Sequence, residues 1–323
     1  MEPTATPTMQ VETMTSGSTK RGRFRSSGQT RASRIATWRK VVLGFSGILL
    51  VALLWEAYKF LGPEKGFQLG DITILPRTND MSMPHIATMF ERLGEPLTGA
   101  SNSIYMWQAV LDASAFSLYV AAVGWLIGVS VGLLLALVMQ RFRTAQSAVL
   151  PWIILSQTVP LIAIAPLVRR WGAQIQIGDF VWENWMSVAL IASYLAFFPV
   201  SIGALQGLNS PDTNHVELFR SFGVGWWKTL FRLRVPASIP YLIPALQLAA
   251  ANAVIGTIVA EVSIGLKGGI GRMVIEFAGA AGGDPGKPWA PIFGAVAIGL
   301  IAAAAVGILA LTVRRYRRGE TNA

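Results

Sequence analysis

The 323-residue sequence has no cysteine and only two histidines, His85 and His215. A disulfide framework, a thiolate nucleophile and a cysteine-ligated metal are thereby excluded. Two histidines so far apart in the chain make a histidine-based metal site or catalytic triad nearly untenable. Charge is also scarce: 14% of residues are Asp, Glu, Lys or Arg, where a soluble domain carries about a quarter. No convergent catalytic groups are visible, so no catalytic, metal-binding or cofactor-binding residue is expected. The stretch "GGDPGKP" is not a phosphate loop, because Ala281 stands where the first glycine is required and Pro288 replaces the hydroxyl residue after Lys287. "GLKGGIG", Gly265 to Gly271, lacks the strand–turn–helix setting of a dinucleotide site and reads as a flexible outer turn.

What the chain does have is apolar surface, with 53% hydrophobic residues gathered into runs of about 20, the length that crosses a bilayer as a helix. The expected fold class is an all-α integral membrane helix bundle. Six spans can be drawn, at Val41 to Leu61, Ala113 to Met139, Ser147 to Val168, Met186 to Leu208, Ile239 to Val262 and Pro291 to Val313. The net charge of +10 does not point to nucleic acid, because eight basic residues lie between Lys20 and Lys40 and four more in "RRYRR" near the C-terminus, all flanking apolar runs. With the N-terminus inside, 18 of the 27 basic residues fall on the cytoplasmic side. The positive-inside rule selects that orientation, with both termini cytoplasmic in the plasma (inner) membrane. Residues 1–40 are expected to form a disordered basic tail, 41–315 the membrane domain and 316–323 a second cytoplasmic tail. A signal peptide is disfavoured, since no small-residue cleavage site follows "VALLWEAYKF".

Inside this frame several polar or small residues invite explanation. The outer loop 62–112 contains Met83, Ile86, Met89, Phe90 and Leu93 at helical spacing, which suggests a helix lying along the outer membrane surface. Gly124, Gly128 and Gly132 leave a groove for close approach of another helix. Pro151, Pro160 and Pro166 share one span, giving either kinks or a broken helix beside a pathway. Gln157, Thr158, Gln247 and Asn252 are uncharged polar groups in spans, which either bond between helices or line a translocation path. The span carboxylates Glu56 and Glu261 fall near outer ends, where solvation is easy, so proton coupling has little support.

The cytoplasmic loop 209–238 is patterned. Val216, Phe219 and Phe222 recur at helical spacing, Gly223 can end that helix, a second turn starts near Trp226, and Pro236 and Pro240 sit where the next span begins. A helix, a sharp corner and a second helix entering the membrane are expected.

These residues resemble the permease subunits of binding-protein-dependent ATP-binding-cassette importers. Their signature reads Glu-Ala-Ala, three residues, Gly, nine residues, Ile, one residue, Leu-Pro. Glu217, Gly223, Leu233, Val235 and Pro236 stand at that spacing, while Leu218 and Phe219 replace the usual alanines. "VPASIPYLIPALQLA" (Val235 to Ala249) and "VAEVSIGLKGGIG" (Val259 to Gly271) are similar to further segments of the family. "ILPRTND" at Ile74 and "TVPLIAIAPLVRRWG" at Thr158 resemble its nitrate, taurine, sulfonate and thiamine-precursor branch.

The resemblance implies that Val216 to Phe222 is a coupling helix docking on a separate ATPase subunit, with Glu217, Leu218, Phe219, Gly223, Leu233 and Pro236 as the coupling residues. It implies no enzyme activity and no cofactor in this chain, ATP being bound by the partner. It further implies an extracytoplasmic solute-binding protein, a second permease copy (a homodimer), membrane lipid as surroundings, and a cargo resembling a sulfonate or nitrate anion or a pyrimidine thiamine precursor. A self-sufficient ion-coupled carrier is the alternative.

Overall fold

The computed structural model describes residues 27–69 and 72–312. Residues 1–26 and the C-terminal segment 313–323, with its basic cluster, lie outside the described residues. Among the described residues five helices are long and apolar enough to cross a membrane, and one bent helix pair makes a sixth candidate span.

Helix α1 (Ser27–Leu61) begins before the expected span, so residues 27–40 are helical although the sequence suggested a disordered tail. No glycine or proline interrupts the chain between Gly28 and Gly44, which leaves nothing to stop the helix. At its last turn the Lys59 ammonium uses three acceptors: the carbonyls of Thr78 at 3.1 Å and Met83 at 2.6 Å, and Asp80 at 2.6 Å. The hydrogen bond and charge of Lys59 hold the Asp80 carboxyl below the usual carboxylate range. An antiparallel hairpin, β1 (Phe67–Leu69) and β2 (Ile72–Leu75), leads to the short helix α2 (Ile86–Glu91). Part of the apolar face of α2 is covered by protein. Met83 and Met89 are buried, Phe90 stacks on Phe293 at 4.7 Å, and the adjacent Arg92 pairs with Asp284 at 2.6 Å. The "GGDPGKP" segment therefore has a structural use as the clamp for Arg92.

Helix α3 (Met106–Arg141) is followed by α4 (Arg143–Ser156) and α5 (Leu161–Gly172), which bend by 101° at residues 157–160. Pro160 supplies no N–H and disfavours helical geometry at Val159. Tight i→i−3 bonds take up the local N–H groups, and the Tyr194 hydroxyl donates to the Ser156 carbonyl that the break frees. The hairpin β3 (Gln176–Ile177) and β4 (Phe180–Val181) then leads into α6 (Asn184–Leu208). The remaining elements are α7 (Thr213–Ser221), α8 (Trp226–Thr229), a π-helical turn (Leu230–Arg234), α9 (Val235–Ile264), α10 (Ile270–Gly279) and α11 (Trp289–Thr312).

Helix α6 is the axis of the bundle. Gly124, Gly128 and Gly132 of α3 lie directly against Ala192, Ala196 and Val200 of α6, and the two helices run parallel. On another side, Gly203 and Gly207 lie against Ala245 and Ser238 of the antiparallel α9. Lipid tails are as apolar as leucine, so helices in a membrane gain little by merely burying hydrocarbon; close backbone approach supplies the dispersion contacts instead.

A buried carboxylate closes the end of the bundle opposite α7. Glu261 of α9 is fully buried, contrary to the sequence expectation of easy solvation. It accepts from the Ser117 hydroxyl of α3 at 2.6 Å and from the Gly271 N–H at 2.8 Å, while Ser117 Oγ accepts the Ile270 N–H at 2.8 Å. The chain folds back over the carboxylate because Gly265 (φ +71°) and Gly268 (φ +90°) take left-handed conformations, and a Cβ on Gly269 would lie 2.3 Å from the carboxyl carbon. The expected flexible turn is thus a hydrogen-bonded cap.

Gly128→Ala should cost about 1–3 kcal/mol of stability, because its Cβ would stand 2.7 Å from both Ala196 Cβ and the Ser193 carbonyl. Thermal unfolding in detergent checks this, with Gly99→Ala, which meets nothing within 4 Å, as the unaffected control. In the same assay Glu261→Ala should cost about 3 kcal/mol by stranding the Gly271 N–H and the Ser117 hydroxyl; an unchanged melting temperature would show that the network contributes nothing.

Candidate functional site

The loop that leaves α6 and re-enters as α9 is built from local signals. Asp212 accepts the Asn214 N–H at 3.0 Å and so caps α7. The helix stops at Gly223, whose φ of +69° is the left-handed conformation. There the Gly223 N–H reaches the Arg220 carbonyl at 2.9 Å and the Val224 N–H reaches the Phe219 carbonyl at 3.0 Å. This paired pattern satisfies the last carbonyls and turns the chain sharply. Extended Gly225 then starts α8.

None of the side chains of α7 is buried, although the helix is amphipathic. Glu217 and Leu218 are exposed, and Phe222 beside them is 76% exposed. A concave surface between α7 and the α8–π segment is lined by Leu218, Phe219, Phe222, Val224, Lys228 and Arg232. Trp227 and Phe231 stack nearby with ring centroids 6.2 Å apart, and Trp226 lies under the Arg141 guanidinium at 5.1 Å, which ties α8 to the end of α3. A largely apolar hollow edged by the cations Lys228 and Arg232 is chemically suited to a protein partner with apolar and acidic groups. Leu233 is half-buried in the π-turn, and Pro236 lies in the first turn of α9.

The polar residues considered for a path do not converge. Gln157 and Thr158 sit in the α4–α5 break and bond locally, to Ser156 Oγ at 3.3 Å and the Leu155 carbonyl at 2.8 Å. Asn252 turns toward α6 and donates to the Leu195 carbonyl at 3.3 Å, whereas Gln247 faces α11 at Gly307. Among the described residues no group of three or more His, Asp or Glu side chains is placed to hold a metal ion. Sequence reasoning placed Glu261 at an easily solvated outer end and passed over Ser117, its buried partner. The signal was present in the four glycines between Gly265 and Gly271, since a carboxylate enclosed by backbone needs neighbours without side chains.

Residues 128–318, more than half of the chain, match the family described as binding-protein-dependent transport system inner membrane component. The chain is 32% identical over 208 residues to the formylaminopyrimidine transport permease protein ThiX of Halalkalibacterium halodurans, covering 63% of this chain and 77% of that protein. It is 28% identical over 160 residues to SsuC of Bacillus subtilis, a permease named for aliphatic sulfonates transport, covering 50% of this chain and 54% of that one. A riboflavin transport system permease protein, RibX of Chloroflexus aurantiacus, is 26% identical over 135 residues, covering 42% and 46%. The chain therefore spans about half the length of the latter two. Its multi-pass apolar helices and the helix–corner–helix loop fall within or beside the matched region, and this protein belongs to the inner-membrane permease components of binding-protein-dependent transport systems.

Proposed function

We propose that this permease works as the membrane subunit of an ATP-driven importer in which α7 is the docking element for a separate ATPase subunit. The observation that carries the reading is the exposed helix α7, stopped at Gly223 with Glu217 outward, at the spacing of the family signature. Glu217, Leu218, Phe219, Gly223, Leu233 and Pro236 are the coupling residues. ATP is bound by the partner, and this chain needs no cofactor. Both termini and α7 face the cytoplasm, as the basic residues around α7 and at the chain ends favour. The opposite end, with the Glu261 cap and the β3–β4 hairpin, receives a solute-binding protein. Two permease copies form the path, a homodimer set in lipid, and Gln157, Thr158, Gln247 and Asn252 remain its candidate lining.

The cargo is inferred to be a small heteroaromatic compound of the pyrimidine or thiamine-precursor kind. Two of the three relatives described above are named for transport of heteroaromatic compounds, a formylaminopyrimidine and riboflavin, and the third for sulfonates. A sulfonate-like anion is the second choice for that reason. A self-sufficient ion-coupled carrier is not favoured, because Glu261 is enclosed by Ser117 and backbone N–H groups rather than open to a proton path.

The test is to tag the chain, extract it in mild detergent and identify its companions by mass spectrometry, beside a Glu217→Ala/Gly223→Pro variant. Recovery of an ATPase with the wild type and its loss, by about tenfold or more, with the variant is the expected result, while the thermal unfolding of the membrane bundle stays unchanged. A wild-type chain that purifies alone in several detergents would contradict the reading.

A further inference from the structure

The family signature leaves one position open between Leu233 and Val235, and this chain places Arg234 there. It is the last residue of the π-helical turn. The turn arises where prolines follow closely: Pro236 has no N–H for the Arg232 carbonyl and Pro240 none for the Pro236 carbonyl. The backbone widens, and the Val235 N–H donates to the Leu230 carbonyl five residues back. One inserted residue changes the angular register by about 100°, and Arg234 meets the end of α6. Its Nη1 donates to the carbonyl of Leu208, the last residue of α6, at 2.8 Å, and lies 3.5 Å from Asn209 Oδ1. A cation at a helix C-terminus satisfies an orphan carbonyl and opposes the negative end of the helix dipole.

Two further ties lie beside it. The single Ser210 hydroxyl proton is shared between the Gly207 carbonyl at 2.8 Å and the Ala237 carbonyl at 3.2 Å, and Gly207 sits so close to Ser238 that a Cβ would lie 2.8 Å from the serine Cβ. The loop that carries α7 is therefore closed at its base, with its entry from α6 and its exit into α9 joined.

We propose that Arg234 is a positioning residue for coupling: it clasps α6 to the start of α9, so that a displacement of α7 moves both helices together instead of bending the links at 209–212 and 223–225. The inference rests on the reading of α7 as the ATPase-docking element and adds the device that carries its motion into the bundle. A push on a loop with an open base would be absorbed by Gly223 and Gly225, which meet no neighbouring atoms within 4 Å of an added Cβ. A closed base leaves α6 as the path, and α6 is the helix against which α3 and α9 both lie. Arg234 touches neither cargo nor nucleotide in this scheme.

The absence of native cysteines allows clean labelling. Nitroxides at Asn184→Cys and His215→Cys, exposed positions at the far end of α6 and on α7, report the clasp in the full chain by pulsed electron resonance. The wild type and Arg234→Lys, which keeps a donor, should give one narrow distance distribution, and Arg234→Met a broadened one. The copurified ATPase complex in proteoliposomes then reports coupling. Adding Mg-ATP with vanadate should change the maleimide labelling rate at Asn184→Cys in the wild type, and Arg234→Met should shrink that change by about threefold or more while ATP hydrolysis continues. Arg234→Lys should restore most of it, which a merely structural role would not produce. Where Arg234→Met fails to assemble, Arg234→Gln replaces it in both measurements. A wild-type chain without ATPase would defeat the parent reading alone, and the distance distributions would still decide the clasp. A methionine or glutamine variant as narrow as the wild type, or one with an undiminished labelling response, overturns the proposal.

Discussion

Backbone proximity between helices is the constraint on which this structure depends. In hydrocarbon there is no hydrophobic gain in pressing one apolar helix on another, so the bundle must win its cohesion from dispersion at short range. Helix α6 meets that demand on two sides. The glycines of α3 face Ala192, Ala196 and Val200, and its own Gly203 and Gly207 face α9. A stack of residues without bulky side chains lets α3, α6 and α9 pack at short range.

Two polar fixtures mark the ends of this unit. At one end Glu261 gathers Ser117 and the start of α10; at the other Arg234 gathers the end of α6. Helix α9 lies between these two fixtures and is reached from the corner at Gly223 through α8 and the π-turn. The same physics explains the broken third span. A helix can bend by 101° in an apolar setting because Tyr194 and local turns take up the backbone groups that Pro160 leaves open.

Much of this was legible in the sequence, for reasons that differ by element. Long apolar runs located the spans, since lipid thickness fixes their length, and Gly223 marked the corner because only glycine enters the left-handed region without strain. The burial of Glu261 was not legible in hydropathy, which places a residue along a span but not the chain that folds back over it; its trace lay in the glycines from Gly265 to Gly271. The protein contacts of α2 were not legible for a similar reason, as the periodicity of Met83 to Leu93 shows an apolar face but not that Met89 is buried and Phe90 stacks on Phe293. Arg234 resembled any positive-inside residue. Its role depends on a π-turn, and the register change that Pro236 and Pro240 impose has no signature in hydrophobic period.

In the proposed orientation α7 faces the cytoplasm and the β3–β4 hairpin the opposite side. The most direct measurement uses single cysteines at His215 and at Ile177, which is 73% exposed, with a membrane-impermeant maleimide applied to right-side-out and inverted vesicles. The account predicts that His215→Cys is labelled only in inverted vesicles and Ile177→Cys only in right-side-out ones. Labelling of both from the same side, or of His215→Cys from outside, would contradict it.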